Sequence, residues 1–138
     1  LRGIGMKKKQ VFLAIMLAAT LVLGQGCATT TVTGPEGQTE AVYKFGKLRA
    51  EEPKDIGTVY QAAEKALAEL ELSISQKLKD EITANIIARD SQDKKITLNL
   101  LALTENTTKV TISAGSFVKA RRVYQKIHQK IQSSVQQK

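Results

Sequence analysis

The chain of 138 residues is long enough for one domain of ordinary size and too short for two. Hydrophobic residues make up 42% of it, which can supply a core. Aromatic residues make up only 4% and Trp is absent, which argues against a stacking surface for single-stranded nucleic acid. One Cys and one His exclude an intramolecular disulfide and a Cys/His metal cluster.

The formal net charge of +8 overstates the charge of the folded part. Four of the 21 basic residues and none of the 13 acidic ones precede Cys27, so the chain from Cys27 onward carries +4. The basic balance is therefore not an argument for nucleic-acid binding.

Residues 1–26 have the composition of a signal peptide. Met6 is followed by three lysines, and we expect it to be the true start, with Leu1–Gly5 upstream of it. Val11–Leu23 is a run of 13 residues in which Thr20 is the single polar one. Such a run fits the apolar region of a signal peptide, about 7–15 residues, whereas a spanning helix needs about 20.

The segment up to Cys27 resembles the signal of bacterial lipoproteins, in which a peptidase cuts before a Cys whose thiol carries a diacylglyceryl group. Gly26 supplies the small residue directly before the Cys. The sequence departs from the usual pattern at two positions. Leu23 lies four residues before Cys27 rather than three, which leaves Gly24 in that place, and Gln25 is larger than usual.

The resemblance implies a membrane anchor through lipid on Cys27, and Ala28 after it implies the outer membrane, facing the periplasm. Two alternatives stay open. An ordinary signal peptidase could cut near Gly26–Ala28, a small-x-small site, or the segment could remain uncut as a short anchor.

Residues 27–38 are small and polar around a Gly-Pro pair, which predicts a flexible, lipid-anchored tether. The alternative is a first strand through Thr30–Thr33, because these residues are β-branched. Residues 39–138 then form a single domain. Its first element is a strand over Thr39–Glu51, with a bulge at Gly46 where the alternation changes phase.

Asp55 is a candidate cap for a helix that runs to about Leu70 on a helical apolar stripe. Four stretches of period-two alternation follow, separated by turn residues, which predicts an antiparallel meander. Helical spacing returns from Lys119 to about Val135, with these positions facing inward: Val123, Tyr124, Ile127, Ile131 and Val135. The predicted fold class is α+β in the order β-α-β-β-β-β-α, one antiparallel sheet with two helices packed on one face.

The other face of the predicted sheet is polar apart from Ile87, Leu101 and Leu103. These three are either scattered exposed residues or a surface that docks on a larger envelope complex.

The chain resembles the small bacterial lipoproteins classed as domain of unknown function 3568. The residues that carry the resemblance are the lipoprotein-type start, Val59–Leu67 (VYQAAEKAL) and Leu103–Ser113 (LTENTTKVTIS). It covers about residues 27–131. It implies an anchored β-α-β-β-β-β-α domain and supplies no activity, cofactor or catalytic residue.

Catalytic residues are not indicated by the sequence. His128, the single histidine, lies next to Ile127 on the last helix, and we expect it to be partly exposed and not a general base. No serine lies in a G-x-S-x-G turn and no phosphate-binding loop is present. We therefore expect no enzyme, no cofactor, no metal and no small-molecule substrate.

The last 33 residues contain no acid. Most of the basic residues among them lie on the final helix: Lys119, Arg121, Arg122, Lys126 and Lys130. This pattern favours a surface for anionic lipid or for an acidic envelope protein. The alternative is a solvated helix face with cations placed favourably toward its C-terminal end.

Overall fold

The structure, a computed structural model, describes residues 29–34 and 37–137, with their side chains from Glu40 onward. Cys27 and the predicted signal peptide lie outside the described residues.

The described residues form seven strands and two helices. In chain order they are β1 Thr29–Gly34, β2 Gly37–Lys44, β3 Lys47–Glu52, α1 Ile56–Glu69, β4 Ser73–Lys79, β5 Thr83–Arg89, β6 Lys95–Thr104, β7 Thr107–Ser113 and α2 Phe117–Val135.

All strands belong to one antiparallel sheet in the order β1-β2-β3-β7-β6-β5-β4. After β3, helix α1 connects to β4 at the opposite edge of the sheet. Strands β4 to β7 then form a meander that returns toward the centre, where β7 pairs with β3. Both helices pack against each other and against the same face of the sheet. The opposite face, which we call the open face, is not covered by any described element.

The core lies between the sheet and the two helices. Every second residue along the central strands points into it, as the alternating burial of β5, β6 and β7 shows. The largest fully buried apolar side chains are those of Leu48, Leu67, Ile86, Ile96, Leu98, Leu100, Ile112, Ile127 and Ile131. Val135, expected to face inward, is 40% exposed at the last turn of α2.

Each helix begins at a side-chain cap. The Asp55 carboxylate accepts from the backbone N–H of Thr58 at 2.9 Å and from its hydroxyl at 2.6 Å, and these hydrogen bonds lower the pKa of Asp55. Ser116 Oγ accepts from the backbone N–H of Lys119 at 3.3 Å. The caps satisfy N–H groups that the first helical turn leaves unpaired.

The predicted α+β fold is confirmed, and the order β-α-β-β-β-β-α describes the chain from β3 to the end of α2. The N-terminal part differs from the prediction. The stretch expected to be one strand with a bulge at Gly46 is the β2–β3 hairpin, because Phe45 and Gly46 both adopt positive φ angles, 53° and 72°, and reverse the chain.

The predicted tether also needs correction over its described part. Thr29–Gly34 forms strand β1, paired along its whole length with β2. The alternative interpretation, a strand through the threonine run, therefore holds, because β-branched residues pair readily beside an existing strand.

Candidate functional site

A carboxylate occupies a core position at the end of β3. Leu48, Ala50 and Glu52 alternate toward the helices, and the exposed fraction of Glu52 is 0%. A buried carboxylate must be hydrogen-bonded or paired, because removal of its charge from water is costly.

Two side chains of α2 contact this carboxylate. The Tyr124 hydroxyl donates a hydrogen bond to Glu52 Oε1. His128 Nδ1 lies 3.0 Å from Oε1 and 3.3 Å from Oε2. Tyr124 and His128 are four residues apart, so successive turns of α2 present both to Glu52. We call these three residues the buried triad.

The prediction that His128 is partly exposed is wrong, since only 4% of it is exposed. Its place one turn after Tyr124 puts it on the buried side of α2, where Glu52 binds Nδ1. The other ring nitrogen, Nε2, is also buried and has no hydrogen-bond partner among the described residues.

The buried triad joins the second half of α2 to the end of β3. Next to it, buried Thr108 on β7 faces Glu52 across the strands and donates from Oγ1 to the Lys54 carbonyl at 2.8 Å. Both nitrogens of His128 are buried and Nδ1 contacts Glu52, so in this geometry the buried triad holds α2 against the end of β3.

Ion pairs take up much of the predicted basic surface. Lys119 pairs with Asp90, and Lys126 and Lys130 both pair with Glu69, the Lys126 contact at 3.0 Å. The bonds from Lys130 and then Lys126 lower the pKa of Glu69. The Lys119 bond, with backbone N–H groups, lowers the pKa of Asp90 to about 2.

The remaining two predicted residues, Arg121 and Arg122, are exposed, and neither pairs with an acid in the part of the chain that the structure describes. The five basic residues therefore do not form one uniform cationic surface. Three lie beside acids of α1 and of the β5–β6 turn, which the sequence alone does not place next to α2.

The concave surfaces of the described domain include one cleft beside the helices and two grooves on the sheet. A cleft of about 310 Å³ lies between the end of α1, the β5–β6 turn and the first turns of α2, with Asp90 and Lys119 in its wall. Two shallow grooves lie on the open face. One of about 570 Å³ crosses β2, β3 and β7, and one of about 340 Å³ crosses β4, β5 and β6.

The structure does not bring the three predicted apolar residues of the open face into one patch. Ile87 is half-buried opposite Thr97, whereas Leu101 is opposite Thr83, and the polar pair Asn85–Asn99 lies between these two rows. Leu101 and Leu103 are 41% and 44% exposed.

Residues 10–134 match the family described as Protein of unknown function (DUF3568). The chain belongs to this family. No protein of curated function matches it. The DUF3568 match begins within the predicted signal peptide and ends in the last helix, so it covers the described residues up to residue 134.

Within the described residues of this DUF3568 chain, no group of three or more His, Cys, Asp or Glu side chains is arranged to hold a metal ion. None of the helices described is long and apolar enough to cross a membrane.

The buried triad of this DUF3568 domain was not predicted from the sequence. One signal was present, because Glu52 is in phase with Leu48 and Ala50 and so occupies an inward position of a strand. The spacing of Tyr124 and His128 on the last helix was a second signal. The predicted strand ended at Glu51, one residue short of Glu52, so the first signal was not used.

Proposed function

We propose that this protein is an exported envelope lipoprotein, anchored by lipid on Cys27, whose folded domain is a non-enzymatic binding or structural module. The observation that carries the proposal is the order of features before the domain. A cationic start, a short apolar run, a small residue and the single Cys of the chain follow one another within 22 residues, from Met6 to Cys27.

The family match supports the export part of the proposal. It begins at residue 10, one residue before the apolar run, so that run lies within the region that defines the family. Lipidation also explains the lone cysteine, because an unpaired thiol in an exported protein otherwise calls for another role. Each buried CH₂ of an acyl chain contributes about 0.8 kcal/mol, so two or more chains hold a protein on a bilayer where one does not.

The buried triad supports the non-enzymatic part. The single histidine of the chain, His128, is occupied by Glu52 at Nδ1 and is enclosed at Nε2. Three of the basic residues on α2 are bound to acids of the same domain. The polar chemistry of the described domain is thus directed mainly at its own packing.

Metabolic labelling of cells with a radioactive or clickable fatty acid tests the anchor. We expect label on the unmodified chain and on Gln25→Ala, and none on Cys27→Ala. Gln25→Ala is a matched control because it changes the same segment and brings it closer to the usual signal. Label that persists on Cys27→Ala contradicts the proposal, as does release of the unmodified chain into the soluble periplasmic fraction, which the ordinary secretion alternative predicts.

A further inference from the structure

Strand β1 begins very close to the proposed lipid anchor. Thr29, its first residue, is two residues after Cys27. Two residues of extended chain span at most about 7 Å. The polar headgroup layer on each side of a bilayer is itself about 5–8 Å thick. If Cys27 carries lipid, the beginning of β1 must therefore lie at the membrane surface.

The topology shows which other parts of the domain share that end of the sheet. Because β1 and β2 are antiparallel, with Thr29 opposite Val42, the beginning of β1 lies beside the β2–β3 turn at Phe45–Gly46. The first turn of α2 is also there, since the rings of Tyr43 and Phe117 pack edge to face with centroids 5.2 Å apart. We call this end, formed by Thr29, the Phe45–Gly46 turn and the first turn of α2, the proximal end.

The proximal end presents two apolar side chains to solvent. Phe45 is 85% exposed and Val118 is 73% exposed, the highest values among the large hydrophobic residues of the described domain. Single exposed apolar residues are common on protein surfaces. Here the two most exposed lie at the same end of the sheet, next to the strand that leads to the anchor.

The backbone of Phe45 is also in an unfavourable conformation. Phe45 has φ 53° in a two-residue hairpin turn whose first position favours Asn, Asp or Gly. A bulky residue with positive φ is strained. Phe45 is not one of the residues packed against the core, and the Lys44 ammonium lies 5.1 Å from the centroid of its ring. A strained, exposed aromatic at a turn is typical of a residue that contacts something outside the domain.

Charge differs between the two ends of the sheet. Lys44 and Lys47 flank Phe45–Gly46, both are exposed, and neither pairs with an acid among the described side chains. Arg121 and Arg122 follow in the early turns of α2. The β5–β6 turn and the α1–β4 connection lie at this end too and carry Asp90, Asp93 and Glu71. Two of these acids are paired, Asp90 with Lys119 and Asp93 with Arg89, and the basic residues of this end outnumber the acids. At the opposite end, the β4–β5 and β6–β7 turns carry three acids: Asp80, Glu81 and Glu105. An anionic surface attracts the first end and repels the second.

We propose that the proximal end docks on the surface of an anionic bilayer, with Phe45 and Val118 in the headgroup region and Lys44 and Lys47 against lipid phosphates. This inference rests on the proposed lipid anchor at Cys27, which holds the end in place. Aromatic and aliphatic side chains flanked by cations are the composition of interfacial membrane contacts. The acidic turns then point away from the membrane, and the domain stands on the bilayer with no free tether between them.

Fluorescence on the full lipidated protein tests the docking, because the chain has no Trp and a single introduced Trp reports its own site. Phe45→Trp and Val118→Trp place reporters at the proximal end. Ile82→Trp is the matched control, a 64% exposed apolar residue at the opposite end. Each variant, with its lipid verified by intact mass, is reconstituted into vesicles of phosphatidylcholine and phosphatidylglycerol and exposed to brominated lipid or to aqueous iodide.

We expect brominated lipid to quench Phe45→Trp and Val118→Trp severalfold more than Ile82→Trp, and iodide to give the reverse order. Adding Lys44→Glu and Lys47→Glu to Phe45→Trp should restore quenching by iodide. Equal iodide quenching of all reporters on lipidated protein overturns the docking and leaves the anchor standing. Protection that depends on protein density and not on lipid charge assigns the end to protein contact instead. Absence of lipid on Cys27 removes the anchor and the docking together.

Discussion

Replacement of Tyr124 by Phe tests the energetic role of the buried triad. The change keeps the ring and its packing and removes the hydroxyl that donates to Glu52 Oε1, so a buried carboxylate loses a partner. A hydrogen bond to a charged group contributes about 1.5–3 kcal/mol. A single domain of this size has about 5–15 kcal/mol of stability in total, so the loss is a large fraction of it.

Urea unfolding of the soluble chain that begins at Ala28, followed by far-ultraviolet circular dichroism, measures the effect. With a denaturant slope of about 1–3 kcal/mol per molar urea, the midpoint should fall by about 1 M. Tyr43→Phe is the matched control: Tyr43 is only half-buried and the substitution keeps its ring contact with Phe117, so its effect should stay within about 0.5 kcal/mol.

A double-mutant cycle with Glu52 tests whether the loss of stability in Tyr124→Phe comes from the lost hydrogen bond. In a Glu52→Gln background, which removes the carboxylate charge, Tyr124→Phe should cost clearly less than in the unmodified chain, because the two residues act on one hydrogen bond. Equal losses for Tyr124→Phe and Tyr43→Phe, or full additivity with Glu52→Gln, would show that the triad does not stabilise the contact between β3 and α2.

Three further outcomes follow from the described contacts. The bond with Lys119 lowers the pKa of Asp90 from 3.8 to about 2, so this bond stabilises the fold above pH 3.8, and its contribution is lost as the pH falls toward 2. Between pH 4 and pH 2 the urea midpoint of Asp90→Asn should therefore fall less steeply than that of the unmodified chain. Phe45→Asn relieves a positive φ and should raise the free energy of unfolding by about 1 kcal/mol, and a lower midpoint would contradict the strain. Thr108→Val removes the donor to the Lys54 carbonyl and should lower the free energy of unfolding by about 1 kcal/mol. It should also speed amide hydrogen exchange in the β3–α1 connection, and an unchanged exchange rate there would contradict the role of this hydrogen bond.

The fold from β3 onward was predictable because the spacing of apolar residues and the positions of turn-forming residues indicate the same elements there. Buried and less buried residues alternate in β5, in most of β6 and in β7, and Asp-, Asn- and Thr-rich turns separate the strands. Each helix has a capping side chain and an apolar stripe. In β4 the alternation fails at a bulge between Ile74 and Gln76, which puts Ile74 opposite Ala88 and Leu78 opposite Asn85, on different faces.

The N-terminal hairpins were not predictable from local pattern. Phe is a poor residue for the positive φ that Phe45 adopts, so the usual Asn-Gly or Asp-Gly signal of a two-residue turn was absent. The threonine run of β1 has no apolar alternation to mark it, and its strand structure depends on pairing with β2. Both features favoured prediction of a longer strand and a tether.

The residues around the candidate sites depend on contacts that are distant in sequence. Glu52 and His128 are 76 residues apart, and Lys119 and Asp90 are 29 apart. Helical spacing alone assigned His128 to a boundary position and left the basic residues of α2 without partners. Their neutralisation by acids of other elements becomes visible only when the elements are packed together.

Intact mass spectrometry of the protein extracted from membranes tests the lipid anchor most directly. We expect a chain that begins at Cys27, with an added mass equal to a diacylglyceryl group, with or without a further acyl chain on its amino group. A chain that begins at Ala28 or later without lipid, or one that begins at Met6 with an unmodified cysteine, would contradict the anchor and with it the position of the domain on the bilayer.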